Sequence, residues 1–162
     1  MRIITLICIS FLLFQPSQKS DERISYFNPN NVPDEAEACL KLQKNLEINS
    51  SINPFIISGG FDGDNQTDFA IAVRNNKDGH QGILFCFAKQ TSIIAGAGES
   101  IPGTNDPNSD WPFDSWFLVS RTSKHLPNRT KIKFDALAVF KADEGGGIVY
   151  WDGRKLQSLP ED

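Results

Sequence analysis

The chain has 162 residues, 40% of them hydrophobic, with 16 basic against 20 acidic side chains and a net charge of −4. That length suits a single domain able to build a core without metal or disulfide staples. The acidic balance argues against nucleic acid or anionic lipid as a partner, since either calls for a basic patch.

The first residues, MRIITLICISFLLF, place one arginine ahead of an apolar run from Ile3 to Phe14. This is the layout of a secretory signal peptide, and the run falls short of the roughly 20 residues that a membrane span needs. Residues 1–20 are therefore expected to be removed on export. Ser17 or Ser20 is the small residue before the cut, and an uncleaved anchor is the alternative. Loss of Arg2 and Lys19 leaves 14 basic side chains against 20 acidic and a charge of −6. The expected location is secreted or periplasmic, with no membrane contact after cleavage. In such a compartment disulfides persist, so Cys39 and Cys86 either pair, tying the first helix to a central strand, or stay as two buried thiols.

Residues 21–33, polar and punctuated by proline, read as an extended lead-in, and residues 34–162 as one domain. From Asp34, DEAEACLKLQKNLEI repeats apolar residues at Ala38, Leu42 and Leu46, with Cys39 beside that stripe and acids in the first turn. The pattern predicts one helix. A short apolar run, Phe55 to Ile57, closes at Gly59-Gly60. DFAIAV and GILFCFA follow as strands, and Asp78-Gly79 between them predicts a hairpin. Small Ala70 and Ala72 alternate with Phe69, Ile71 and Val73, so a helix is expected to lie across the small-residue face.

Ala95 to Trp116, rich in Gly, Pro, Ser, Asn and Asp, predicts a long loop, a kind of segment that is often functional. Its Trp111, Phe113 and Trp116 either form an exposed contact surface or fold back to plug one end of the sheet. WFLVS and IKFDALAVFK are further strands, and GGIVYWDGRKLQSL is a hairpin turning at Asp152-Gly153. The sum is an α+β domain: a mostly antiparallel β-sheet of about six or seven strands with one N-terminal helix.

The stretch GGFDGDNQTDFAIAV bears the most specific pattern. Calcium takes six to eight oxygens, and short loops that bind it place carboxylates at alternate positions and bend around the ion at glycine. Asp62, Asp64 and Asp68 could converge in this way, with the Gln66 carbonyl between them and Gly63 at the bend. An EF-hand is excluded, because no glutamate stands at the twelfth position and no second helix follows.

The stretch resembles the calcium loop of FG-GAP and VCBS-type repeats, Asp-x-Asp/Asn-Gly-Asp-Gly-x-x-Asp before an apolar strand. On that pattern Asp62, Asp64 and Asp68 take the third, fifth and ninth positions, and Gln66 the seventh, a carbonyl ligand. Two positions depart from it: Gly60 replaces the first aspartate, and Asn65 the glycine of the sixth position, where asparagine tolerates the left-handed conformation. From Phe55 to Leu159 the order of loop, apolar hairpin, DAL strand and YWDG hairpin is similar to that of small exported bacterial proteins of uncharacterised function carrying a single such loop. The resemblance implies calcium as the cofactor and gives architecture more than activity.

No catalytic residues are assigned. His80 and His125 lack partners at zinc-ligand spacing, no serine stands in a Gly-x-Ser-x-Gly elbow, and AGAGES lacks the lysine of a phosphate-binding loop. Asp110, Asp114, Asp143, Glu144 and Asp152 are scattered acids. A glycosidase pair would need two carboxyls roughly 5–9 Å apart. Three Asn-x-Ser/Thr sequons stand at Asn49, Asn65 and Asn128. The expectation is a non-enzymatic binding domain whose partner is an extracytoplasmic protein or an envelope glycan. The alternatives are a small hydrolase with carboxylate catalysis and an inhibitor or immunity protein.

Overall fold

The structure, a computed structural model, describes residues 31–104, 110–123 and 132–160. The signal-like segment, most of the lead-in, His125 and the Asn128 sequon lie outside these residues.

Among the described residues one helix and nine strands form an α+β domain of two antiparallel sheets. The helix, α1 (Asp34–Lys41), starts after Pro33 and carries Asp34, Glu35 and Glu37 in its first turn, where the macrodipole favours negative charge. Its end tightens, with Leu42 and Gln43 donating to the carbonyls three residues back, Cys39 and Leu40. The chain then leaves helix, and Leu46–Ile48 becomes strand β1. The predicted stripe is corrected accordingly: Ala38 and Leu42 are exposed, and the buried face is Ala36 with Cys39 and Leu40 beside it. A disulfide joins Cys39 to Cys86, Cα atoms 6.0 Å apart and 47 residues apart in sequence. This bond, with the burial of Ala36, fixes which side of α1 faces the sheet.

The first sheet is built on β3 (Asp68–Asn75), which pairs with β4 (Gln81–Cys86) in the predicted hairpin, Phe69 opposite Cys86 and Arg74 opposite Gln81. On its other side β3 meets two short strands end to end. β1 covers Val73 to Asn75, and β2 (Ile56–Gly59) covers Asp68 to Ile71. Between them the Ala72 peptide donates to Phe55 and accepts from Asn49, so its hydrogen bonds survive the break. β5 (Ile93–Gly96) adds to β4, with Gly82 opposite Gly96. β1 and β5 take the count above the expected six or seven. The second sheet is a meander of β6 (Ser115–Val119), β7 (Ala136–Lys141), β8 (Gly145–Trp151) and β9 (Leu156–Pro160).

Period-two alternation sorts side chains onto two faces of each sheet. Ala70, Ala72, Ile83 and Phe85 from the first sheet share one core with Trp116, Leu137, Val139, Val149 and Trp151 from the second. The Phe87 and Trp151 rings meet at a tilt across that core, centroids 5.4 Å apart. The small alanines thus face the second sheet, and α1 packs over Ile71, Val73 and Leu84 on the reverse face, contrary to the expectation of a helix over the alanines. Ala70 and Ala72 stand opposite Phe85 and Ile83 in register, so the bulk on β4 fills the room that the alanines leave. Among the described residues no helix is long and apolar enough to cross a membrane.

Candidate functional site

Two regions gather polar chemistry, and they lie at opposite ends of the β3–β4 pair. The first is the loop from Gly60 to Asp68. Asp68 opens β3 with its side chain inward and fully buried. Its Oδ2 accepts the backbone N–H groups of Phe61 at 2.9 Å and Asp62 at 3.2 Å, and its Oδ1 that of Ala88 at 3.0 Å. Burial nevertheless pushes the Asp68 carboxyl above its ordinary value, against the lowering effect of those N–H groups, and the nearby Asp62 charge adds to the rise. Asp62 Oδ1 accepts from Asp64 N at 2.9 Å and Asp64 Oδ1 from Gln66 N at 2.7 Å, two consecutive Asx turns. Gly63 has φ +78° and Asn65 φ 64°, so asparagine takes the left-handed position as the sequence suggests.

Carboxylate oxygens of Asp62, Asp64 and Asp68 lie within 4.8 Å of one another, so the structure brings the three predicted acids together. Gln66 contributes its N–H to Asp64. Whether the set fits calcium turns on what the oxygens already bind. Asp62 Oδ2 accepts from Gln90 Nε2 at 2.6 Å, and of the six oxygens only Asp64 Oδ2 accepts no hydrogen bond among the described residues. That oxygen faces Lys89 Nζ at 3.4 Å. Gly60 brings no side chain, and its N–H donates instead to Asp135 Oδ2 at 3.0 Å. The donors present fit a turn satisfied by the protein's own N–H groups and the Lys89 ammonium.

The second region is a cleft of about 860 Å³ where the two sheets part. Trp111 lines it with His80, Asp110, Lys141 and Glu144, over a strip of β8 that is glycine at Gly145, Gly146 and Gly147. The segment crossing from β5 to β6 is pinned at several points. Gln81 N donates to Asp110 Oδ1 at 2.7 Å and Trp111 N to Gln81 O at 2.9 Å. Ser158 Oγ donates to Pro102 O at 2.7 Å, and Ala142 N donates to Asp114 Oδ2 at 2.6 Å. Lys141 and Glu144 pair at 2.7 Å on the rim. That hydrogen bond to Glu144, reinforced by the charges of Glu144, Asp114 and Asp110, raises the Lys141 ammonium above its ordinary value.

The expected aromatic trio divides here. Phe113 and Trp116 are buried in the shared core, and the Trp116 indole donates to Pro54 O. They plug the sheet end, Phe113 at the floor of the cleft and Trp116 away from it. Trp111 is half-buried, packs edge-on to Phe113 at 6.4 Å and lines the cleft together with it, whereas Trp116 does not reach the cleft. Sequence reading passed over Lys89, Gln90, Asp135 and Lys141. The hairpin register carried a signal for the first two, since pairing Phe69 with Cys86 returns residues 88–90 beside the aspartate loop. Asn49 of the first sequon is buried, its amide bonded to Gln81 Oε1 and its carbonyl oxygen to Ser51. In comparison with family models, curated proteins and solved structures, the chain has no match.

Proposed function

We propose that the protein is an exported, non-enzymatic binding domain, secreted or periplasmic, whose partner enters the cleft beside Trp111. The cleft carries this reading, because one hollow combines a half-buried indole, two carboxylates, an ammonium and an imidazole over a side-chain-free strip, the mixture of apolar platform and few polar groups that ligand sites use. The signal-like N-terminus and the Cys39–Cys86 disulfide support export. An envelope glycan suits the cleft: an indole stacks on sugar rings and carboxylates accept from hydroxyls, while Asp110 and Glu144 disfavour acidic sugars. An extracytoplasmic protein is the other partner, through a basic side chain at the same carboxylates. The Asp62–Asp68 loop serves the scaffold as a degenerate calcium turn.

Asp110 and Glu144 on one cleft are the specific observation that favours the hydrolase reading. Both carboxylates already have partners, Asp110 on the Gln81 N–H and Glu144 on Lys141, which suits binding better than proton transfer. The test is titration of the protein with neutral oligosaccharides and with lysine- or arginine-containing peptides, followed by calorimetry. Binding lost in Trp111→Ala and kept in Leu42→Ala, just past the end of α1, supports the cleft. Equal affinity in both variants would refute it, and turnover of the bound sugar that depends on Glu144 would replace it with the hydrolase.

A further inference from the structure

We infer that residues 88–90 act as a resident clamp that takes the place of a cation in the aspartate loop. Three consecutive residues leaving β4 each reach a different aspartate: Ala88 N to Asp68 at 3.0 Å, Lys89 Nζ to Asp64 at 3.4 Å and Gln90 Nε2 to Asp62 at 2.6 Å. This deepens the degenerate-turn part of the reading above and is independent of the cleft. The antiparallel register sets it up, because Cys86 lies opposite Phe69 and the chain continues past it alongside the loop.

The three donors differ in kind and together meet the requirements of a carboxylate cluster. Like charges within 4.8 Å repel, and a divalent ion normally relieves this by drawing on oxygens from all sides. Here one ammonium supplies the positive charge, and a peptide N–H and a side-chain amide supply directed hydrogen bonds. Asp64 Oδ2 is buried and lacks a hydrogen bond among the described residues, so Lys89 is its charge partner. Gly60, the emptied first position, fits the same scheme. A Cβ there would lie 3.8 Å from Asp135 Oδ2, so an aspartate would bring a further negative charge to a loop that holds one lysine.

The clamp is read out by unfolding the full chain with millimolar calcium or with chelator, for the native sequence, Lys89→Ala, and Lys89→Ala/Gln90→Ala. The native melting curves are expected to coincide in the two buffers. The double variant is expected to melt lower in chelator and to recover by about 5 °C when calcium exceeds its dissociation constant about tenfold. Terbium luminescence sensitised by the tryptophans reports the new ion directly. Lys89 is 57% exposed, so its truncation leaves the core intact, and Lys89→Arg should behave as native. A native protein that loses stability in chelator overturns the clamp, as does a double variant that calcium leaves unmoved. Loss of ligand binding at the cleft with unchanged metal behaviour counts against the functional reading alone.

Discussion

Replacing Asp68 with asparagine removes the charge at the centre of the loop while keeping its shape. The carboxylate accepts three backbone N–H groups, two on Oδ2 and one on Oδ1. Asparagine keeps one acceptor oxygen and turns an amino group toward the remaining donor or donors, so at least one N–H of Phe61, Asp62 or Ala88 is left facing another donor. An unsatisfied buried group costs about 1–3 kcal/mol. The neutral amide recovers part of this, because burial already opposes the charged Asp68. The net loss is about 2 kcal/mol, rising to about 4 kcal/mol in Asp68→Ala, where all three acceptor interactions go. With an unfolding entropy of about 2.1 cal/mol/K per residue over about 130 residues, these losses lower the melting temperature by about 7 °C and about 15 °C. Thermal and urea unfolding followed by circular dichroism, in calcium and in chelator, measure both. If Asp68→Asn stays within about 0.5 kcal/mol of native, or its cost appears only in calcium, the three N–H groups are not what holds Asp68 in place.

Asp68 and Asp152 should respond to acid in opposite senses. The folded Asp68 lies above 3.8, so the native state holds more protons than the unfolded chain in that window, and the stability of native relative to Asp68→Asn rises as pH falls toward 3.8. The hydrogen bond from Gln157, with those from the Lys155 and Arg154 N–H groups, lowers Asp152 from 3.8 to about 2, so its contribution, complete above 3.8, is lost as pH falls through about 2. Urea titrations of native, Asp68→Asn and Asp152→Asn between pH 2 and 7 test both signs, and parallel trends would refute them. Opening the Cys39–Cys86 bridge by Cys→Ala at both ends frees a loop of 47 residues, and chain entropy puts its stabilisation at about 4 kcal/mol; the denaturation midpoint of this variant against native checks it. Gly63→Ala places a Cβ at φ +78°, 2.2 Å from the Phe134 ring, and is expected to cost more than about 2 kcal/mol, whereas Gly79→Ala, with open space around it, should lose only the strain of its positive φ.

What the residues disclosed follows the range of their interactions. DFAIAV, GILFCFA and the YWDG turn announce themselves locally, because alternation and a turn pair are enough to make a hairpin, and the observed β3–β4 and β8–β9 pairings agree. β1 escaped because Leu46 continues a helical spacing from Leu42, and only the unfilled edge of β3 decides that Leu46, Glu47 and Ile48 extend beside it. β5 escaped because Ala95 and Gly96 look like loop, while the absence of side chains at Gly82 and Gly96 is what lets those backbones approach. The convergence of Asp62, Asp64 and Asp68 was visible in their spacing. Which donors meet them was not, since Ala88, Lys89 and Gln90 reach the loop only once the β3–β4 hairpin has closed. Phe113 and Trp116 carried no local sign of burial, which depends on the second sheet closing over them.

The same geometry separates the two polar regions. Asp68 begins β3 and Gln81 begins β4, at opposite ends of the pair, so six residue pairs of sheet, roughly 17 Å at about 3.3 Å per residue, lie between the loop and the cleft. The loop grips the second sheet at its near end, where Phe134 packs on Gly63 and Asp135 exchanges hydrogen bonds with Gly60. The cleft opens at the far end, where the same sheet presents Lys141 and the glycines of β8. Loop and cleft therefore act on different parts of one rigid pairing, and sites this far apart without shared partners contribute additively. Asp68→Asn should lower stability without changing affinity at the cleft, Trp111→Ala should do the reverse apart from its lost packing, and the double variant should equal the sum within about 0.5 kcal/mol. A larger coupling energy would mean that the aspartate loop sets the shape of the cleft as well as the hold between the sheets.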